Sequence, residues 1–207
     1  MKQIIAALIL SAGAGTVLGA TSYTMDASKS SLGFTANQSG GDFDGQFEKF
    51  TARIVFADAD LAGSSFSVEV ATESVNTHDD DRDTALRGED LFHVSKYRQA
   101  RFVTTGFTRK APGTYEALGK LTIRDVTRDI RVPFTFSTTT ESGQTVAWLK
   151  GGVTLNRLDY GVGQGDWKDT TWVANEVKVK FSLRLLPVTA TASAAPADQP
   201  AKPRPVK

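Results

Sequence analysis

The chain has 207 residues, 40% hydrophobic and 23% charged, a length that suits one domain with short appendages. Setting aside Lys2, Lys202, Arg204, Lys207 and Asp198 leaves 20 basic and 22 acidic residues, so no basic groove for a nucleic-acid backbone is indicated. There is no cysteine, which excludes disulfides, thiolate metal sites and cysteine nucleophiles.

Residues 1–20 begin with one charge, Lys2, continue through the apolar run 4–10, and end in the small residues Gly19 and Ala20. This is the layout of a secretory signal peptide cleaved near Ala20, with a cut after Gly19 as the competitor. The apolar run is too short to span a bilayer comfortably. The mature protein is therefore expected to be soluble and exported.

From Thr21 onward the texture is β. Residues 31–35 carry Leu32 and Phe34, and Gly40, Gly41, Asp42 and Gly45 mark a turn region. Residues 50–56 alternate through Ala52, Ile54 and Phe56, and 65–71 through Phe66, Val68 and Val70. Residues 79–92 break the rhythm: an Asp/Thr-rich start, then Ala85, Leu86, Leu91 and Phe92, predict a short helix and an irregular loop.

Residues 101–107, with Phe102, and 115–123, with Leu121 and Ile123, follow as strands around a Pro112-Gly113 turn. A second hairpin occupies 119–136, its outgoing strand placing Ile130, Val132, Phe134 and Phe136 on one side. Pro133 falls on the other side, where a missing donor predicts an edge or a poorly paired position. On the next strand either Trp148 or the opposite set Ala147, Leu149 and Val153 faces inward. The last strand is the clearest, with Val177, Val179, Phe181, Leu183 and Leu185 alternating with polar residues.

About eight strands spaced by turn signals predict an all-β, antiparallel barrel or sandwich. The Ala/Pro-rich residues 188–207 hold too little apolar bulk to order and read as a solvated tail. The domain therefore spans residues 21–187.

Candidate chemistry is sparse. The run from His78 to Asp81 has too few suitable donors for zinc and lacks the spacing of a calcium loop. It reads as solvated charge at a helix N-terminus. Arg82, Asp83 and Arg87 could clamp an anion such as a diphosphate, though ordinary ion pairing is the plainer reading. No serine elbow is present. The glycines at 161, 163 and 165 lack the Lys-Ser/Thr ending of a phosphate loop and predict a flexible hairpin loop. Twelve Phe and three Trp either fill a core or line a cavity, and small barrels sit at the size where both are feasible.

Several motifs in order carry a resemblance. They include Gly45-Gln46-Phe47 with Phe50, Ser74 through Thr77, Arg82-Asp83, Leu86-Arg87, Asp90-Leu91-Phe92 and Ala100-Arg101-Phe102. Gly119 through Ile123, Asn156 through Gly161, Gly165-Asp166-Trp167 and Asn175-Glu176-Val177 continue it. Across residues 23–186 the chain resembles the YceI-like family of periplasmic proteins, with departures at Arg98, Asp125 and Asn37-Gln38. The resemblance implies a lipocalin-like barrel of about eight strands that holds an isoprenoid chain, an isoprenoid quinone or polyprenyl diphosphate, for transport, storage or sequestration.

The residues themselves supply no recognisable catalytic or metal-binding constellation, so the expected role is binding without catalysis, a required cofactor or a metal. Candidate lining residues are Phe34, Phe56, Leu86, Phe92, Phe102, Leu121, Ile123, Val132, Phe134, Phe136, Trp148 and Phe181, with Leu86, Leu91 and Phe92 closing the mouth. Oligomeric state stays open, a homodimer included. The rival reading is an envelope interaction protein with a solid barrel, which a lumen plugged by its own aromatic rings would favour.

Overall fold

The computed structural model describes residues 19–188. The expected signal segment and tail therefore lie outside the described residues, apart from Gly19, Ala20 and Val188.

In chain order the elements are β1 (Thr21–Met25), β2 (Ser31–Gln38), β3 (Gly41–Phe47), β4 (Phe50–Phe56), β5 (Ser65–Ala71) and the two-residue β6 (Val75–Asn76). Then come the helix α1 (Asp80–Arg87), β7 (Gln99–Ala111), β8 (Thr114–Ile123), β9 (Val126–Glu141), β10 (Gln144–Asn156) and β11 (Glu176–Pro187). Strands β1, β4, β5, β7, β8, β9, β10 and β11 pair antiparallel in that order, and β11 returns to β1. The barrel is closed, which removes the exposed edges that an open sheet would carry.

The wall departs from a plain meander at one place. β11 pairs through Leu185 with β1 but through Lys178–Ser182 with β2. Thus β1 and β2 are two halves of one stave, broken by the short turn at residues 26–30. β2 then pairs with β3 rather than β4, and β3 pairs with β6. The β2–β3 hairpin thereby leaves the β1–β4 ladder, and its Phe34, Ala36, Gln38, Phe43 and Phe47 line the lumen. Sequence reading took the region around Gly41 and Gly45 as a turn. Only Ser39 and Gly40 turn, and Gly45 lies within β3, where the Phe34 ring fills the space a Cβ would need.

The two-residue periodicity settles which face is inside. Ala147, Leu149, Gly151, Val153 and Leu155 on β10 register against Leu185, Leu183, Phe181, Val179 and Val177 on β11, all inward. Trp148 registers against Ser137 and Arg184 on the outward parity. Its indole donates to Glu141 Oε1 at 3.4 Å, and Lys150 lies over the ring at 4.8 Å. Of the two parities the sequence allowed, Trp148 is thus outside.

Pro133 pairs with Glu116 on β8, but the β9–β10 ladder ends one residue away, at Phe134 and Gly151. The missing donor falls where pairing ceases, as its chemistry requires. In the β8–β9 turn it is Arg124, not Asp125, that takes the left-handed conformation (φ 56°). Asp125 instead accepts a hydrogen bond from the Tyr97 hydroxyl at 2.9 Å.

One end of the barrel is solid. Phe56, 1% exposed, has the rings of Phe66, Phe107, Tyr115, Phe134 and Phe136 within 4.6–6.0 Å of its own. Most of these contacts are tilted or edge-to-face, the arrangement aromatic quadrupoles prefer. Burial and the neighbouring Asp58 push the Tyr115 hydroxyl up to about 12, and it donates to that carboxylate. At the same end Arg184 donates to Asp26 at 2.7 Å and to Glu141 at 2.7 and 3.2 Å, tying β1, β9 and β11 together.

Candidate functional site

Beyond the aromatic plug the lumen stays open. A cavity of about 570 Å³ is floored by Ile54, Phe66, Phe134, Leu149 and Leu183. Its lining on β11 runs from Val177 to Leu183, about 20 Å of strand, or roughly 15 Å along the axis at usual barrel tilts. The walls are apolar. Among the described residues no Ser, Thr, His or Lys lines the cavity, and its polar groups are Gln38, Asp79, Asp81, Arg82, Arg101, Arg157 and Tyr160.

Glycines keep the lumen clear. A Cβ on Gly119 would stand 2.6 Å from the Phe102 ring, and one on Gly151 would stand 2.7 Å from the Phe181 ring. Each ring therefore lies back over a glycine in the neighbouring, hydrogen-bonded strand.

Of the residues singled out from sequence, Phe34, Leu86, Phe92, Phe102, Leu121, Ile123, Val132, Phe134 and Phe181 line this cavity. Phe56 and Phe136 do not. They are inward, but at the filled end, their rings tilted against each other with centroids 4.6 Å apart in the plug. Trp148 does not either, being on the outer wall. Alternation gives the face of a residue but not its height along the barrel, which is why these three separate from the rest.

The open end is roofed by α1, by Leu91 and Phe92, and by residues 157–175. The helix is set by its own polar chemistry. Asp79 caps it by accepting from the Arg82 N–H at 3.0 Å, and acidic residues fill its first turn. Buried Asp83 accepts from the Thr77 N–H and hydroxyl, both at 2.8 Å. Arg87 donates to the carbonyls of Glu73 and Val75 at 2.9 and 2.6 Å. Asp83 and Arg87 are thereby committed to holding α1 on the barrel. Arg82 instead stands at the mouth: its guanidinium lies 4.2 Å over the Phe43 ring, 3.3 Å from Asp79 and 3.4 Å from Gln38 Oε1.

The segment 161–165, expected to be a flexible hairpin loop, is a fixed part of the roof. Val162 and Gly163 are buried, and the N–H groups of Gly163 and Gln164 both donate to the Asp90 carbonyl, at 2.9 and 2.8 Å. The reason is Arg157, 6% exposed and not identified as a site residue from sequence. It donates to the carbonyls of Ala174, Val162 and Val173 at 3.0, 3.0 and 2.7 Å and makes no ion pair among the described residues. Burial lowers its pKa, as removal from water disfavours the charged form. Burial likewise raises that of Tyr160, with Asp159 adding to the shift. Gly163 sits at φ 123° where any side chain would strike Arg157. The stretch Asn156–Gly161 was visible as a motif, but its spacing gave no sign that Arg157 would clamp two distant segments.

His78 is exposed and His93 packs edge-on to Tyr97, their rings 5.7 Å apart. No cluster of three or more potential metal ligands occurs among the described residues.

The profile of the YceI-like domain matches residues 23–185. The chain belongs to the YceI-like family. A UPF0312 protein of Vibrio cholerae is 30% identical over 148 residues, 69% of this chain and 78% of that protein. One from Pseudomonas savastanoi is 31% identical over 129 residues, 61% and 67% of the two chains. Among solved structures, Burkholderia cenocepacia BcnA superposes with a TM-score of 0.73 at 30% identity, over 77% of this chain and 98% of its own. A polyisoprenoid-binding domain from Saccharophagus degradans gives 0.60 at 16% identity, over 81% and 99%, a likeness of fold. The YceI-like barrel here therefore combines a plugged end with an apolar lumen under a polar rim.

Proposed function

We propose that the protein binds an isoprenoid chain in this cavity and carries, stores or sequesters it outside the cytoplasm, without catalysis. The observation that carries the reading is the apolar lumen, closed at the bottom, with Arg82 and Gln38 at the mouth and the buried Tyr160 in its lining. Each buried five-carbon unit contributes about 4 kcal/mol gross, at ~0.8 kcal/mol per CH₂. A few units offset an association cost of roughly 4–15 kcal/mol with little help from polar contacts. The polyisoprenoid-binding domain that shares this fold supports that choice of ligand. The N-terminal sequence pattern supports export.

The test is organic extraction of the protein purified without detergent, followed by mass spectrometry. A prenyl quinone or prenyl phosphate at near-stoichiometric amount is expected. Leu121→Trp, which projects an indole into existing space, should deplete it while shifting unfolding free energy by no more than about 1 kcal/mol. An extract empty of prenyl species, or unaffected by the blocking variant, would overturn the proposal.

A further inference from the structure

The two large hydrophobic side chains exposed among the described residues are Trp172, at 67%, and Val188. Val188 bonds back to Ser22 at the plugged end. Trp172 is at the open end, and its position is fixed. The Ser39 N–H donates to the Trp172 carbonyl at 2.8 Å, and the Ala174 N–H donates to the Asn37 carbonyl at 3.0 Å. Gln38 and Val173 bridge between these bonds, and both line the cavity. The indole therefore stands on the rim, one residue from the lumen, on a backbone held to the β2–β3 hairpin. The same segment supplies Trp167 to the lining.

An indole in water leaves a large apolar surface unpaired. At a membrane–water boundary the same side chain puts its ring among acyl chains and its N–H among headgroups, which is why Trp concentrates there. Charge selects the kind of surface. The elements around the opening carry Asp42, Asp44, Asp79, Asp80, Asp81, Asp83, Asp159, Asp166 and Asp169 against Arg82, Arg87, Arg157 and Lys168, an excess that anionic lipid would repel.

We infer that Trp172 is a membrane anchor that seats the cavity mouth on the interfacial zone of a zwitterionic bilayer. The inference rests on the lipid-binding reading above, since a ligand insoluble in water must enter and leave through such a boundary.

The test uses mature protein and vesicles of phosphatidylcholine, alone or doped with phosphatidylglycerol, read by co-sedimentation and by quenching of Trp emission with brominated lipid. The wild type should partition onto phosphatidylcholine with quenched emission. Trp172→Ala should lose the quenching and bind about tenfold less, ~1.4 kcal/mol, and Trp172→Phe should retain most of the binding. Phosphatidylglycerol should weaken it. Equal binding by wild type and Trp172→Ala, stronger binding to the anionic vesicles, or binding only when a membrane protein is present would each overturn the anchor. The last of these would point to a protein partner. Prenyl extraction of Trp172→Ala separates the two readings. Retained ligand with Trp172-independent partition defeats the anchor alone, whereas Trp172-dependent partition by a protein without prenyl lipid defeats the cavity reading alone.

Discussion

Phe134 and Phe181 are the same side chain on the two strands that flank β10, both in register with Gly151, and truncating each should measure where the solid end stops. Phe134 is 3% exposed, with the rings of Phe56, Phe66, Phe107 and Tyr115 within 5.3–6.1 Å. Phe134→Ala removes a fully packed ring and several aromatic pairs, so it should cost about 5 kcal/mol, the upper end for such truncations. Phe181 leans on Gly151, is only partly buried at the edge of the core, and presents its remaining surface to the cavity. Its truncation enlarges an existing void and should cost only about 1–2 kcal/mol. Urea unfolding with an unchanged m-value is the assay. Because Phe134 also floors the lumen, the surviving folded fraction of Phe134→Ala should accept longer prenyl chains than the wild type does. Equal losses for the two variants, or a loss near 1 kcal/mol for Phe134→Ala, would refute the division of the barrel into packed and empty halves.

Arg157→Met should cost about 3–5 kcal/mol in thermal or urea unfolding, because three carbonyls lose their donor at once. Arg157→Lys should rescue little, since one ammonium cannot reproduce the planar fork. Acid should weaken the plugged end. The carboxyl of Asp26 is held below its ordinary range, first by Ser28 and also by Arg184, and that of Glu141 first by Arg184. Folded pKa values below the unfolded ones give stability that is complete above pH ~5, over the ordinary carboxyl range, and lost as pH falls through the depressed values. Arg184→Met should flatten that acid limb in unfolding midpoints measured across pH; an unchanged limb would show that the network does not act this way.

Residues 50–56, 65–71 and 176–187 state their strands and inward faces outright, because alternation is a local property of a chain with one wet and one dry side. The short helix over 80–87 was legible for a similar reason, its acidic start and capping Asp79 being local signals. Membership of the YceI-like family was legible too, since motifs strung along the whole domain survive as sequence. Height along the barrel was not. Phe56 and Phe102 look alike on alternating strands, and only closure of β11 onto β1 puts one in the plug and the other on the wall of the lumen. The pairing of β2 with β11 and β3, the tying of residues 161–163 to 173–174 by Arg157, and the placing of Trp172 at the rim were likewise decided by the tertiary structure. Each depends on partners far away in the chain, and a sequence records neighbours along the backbone rather than across a closed sheet.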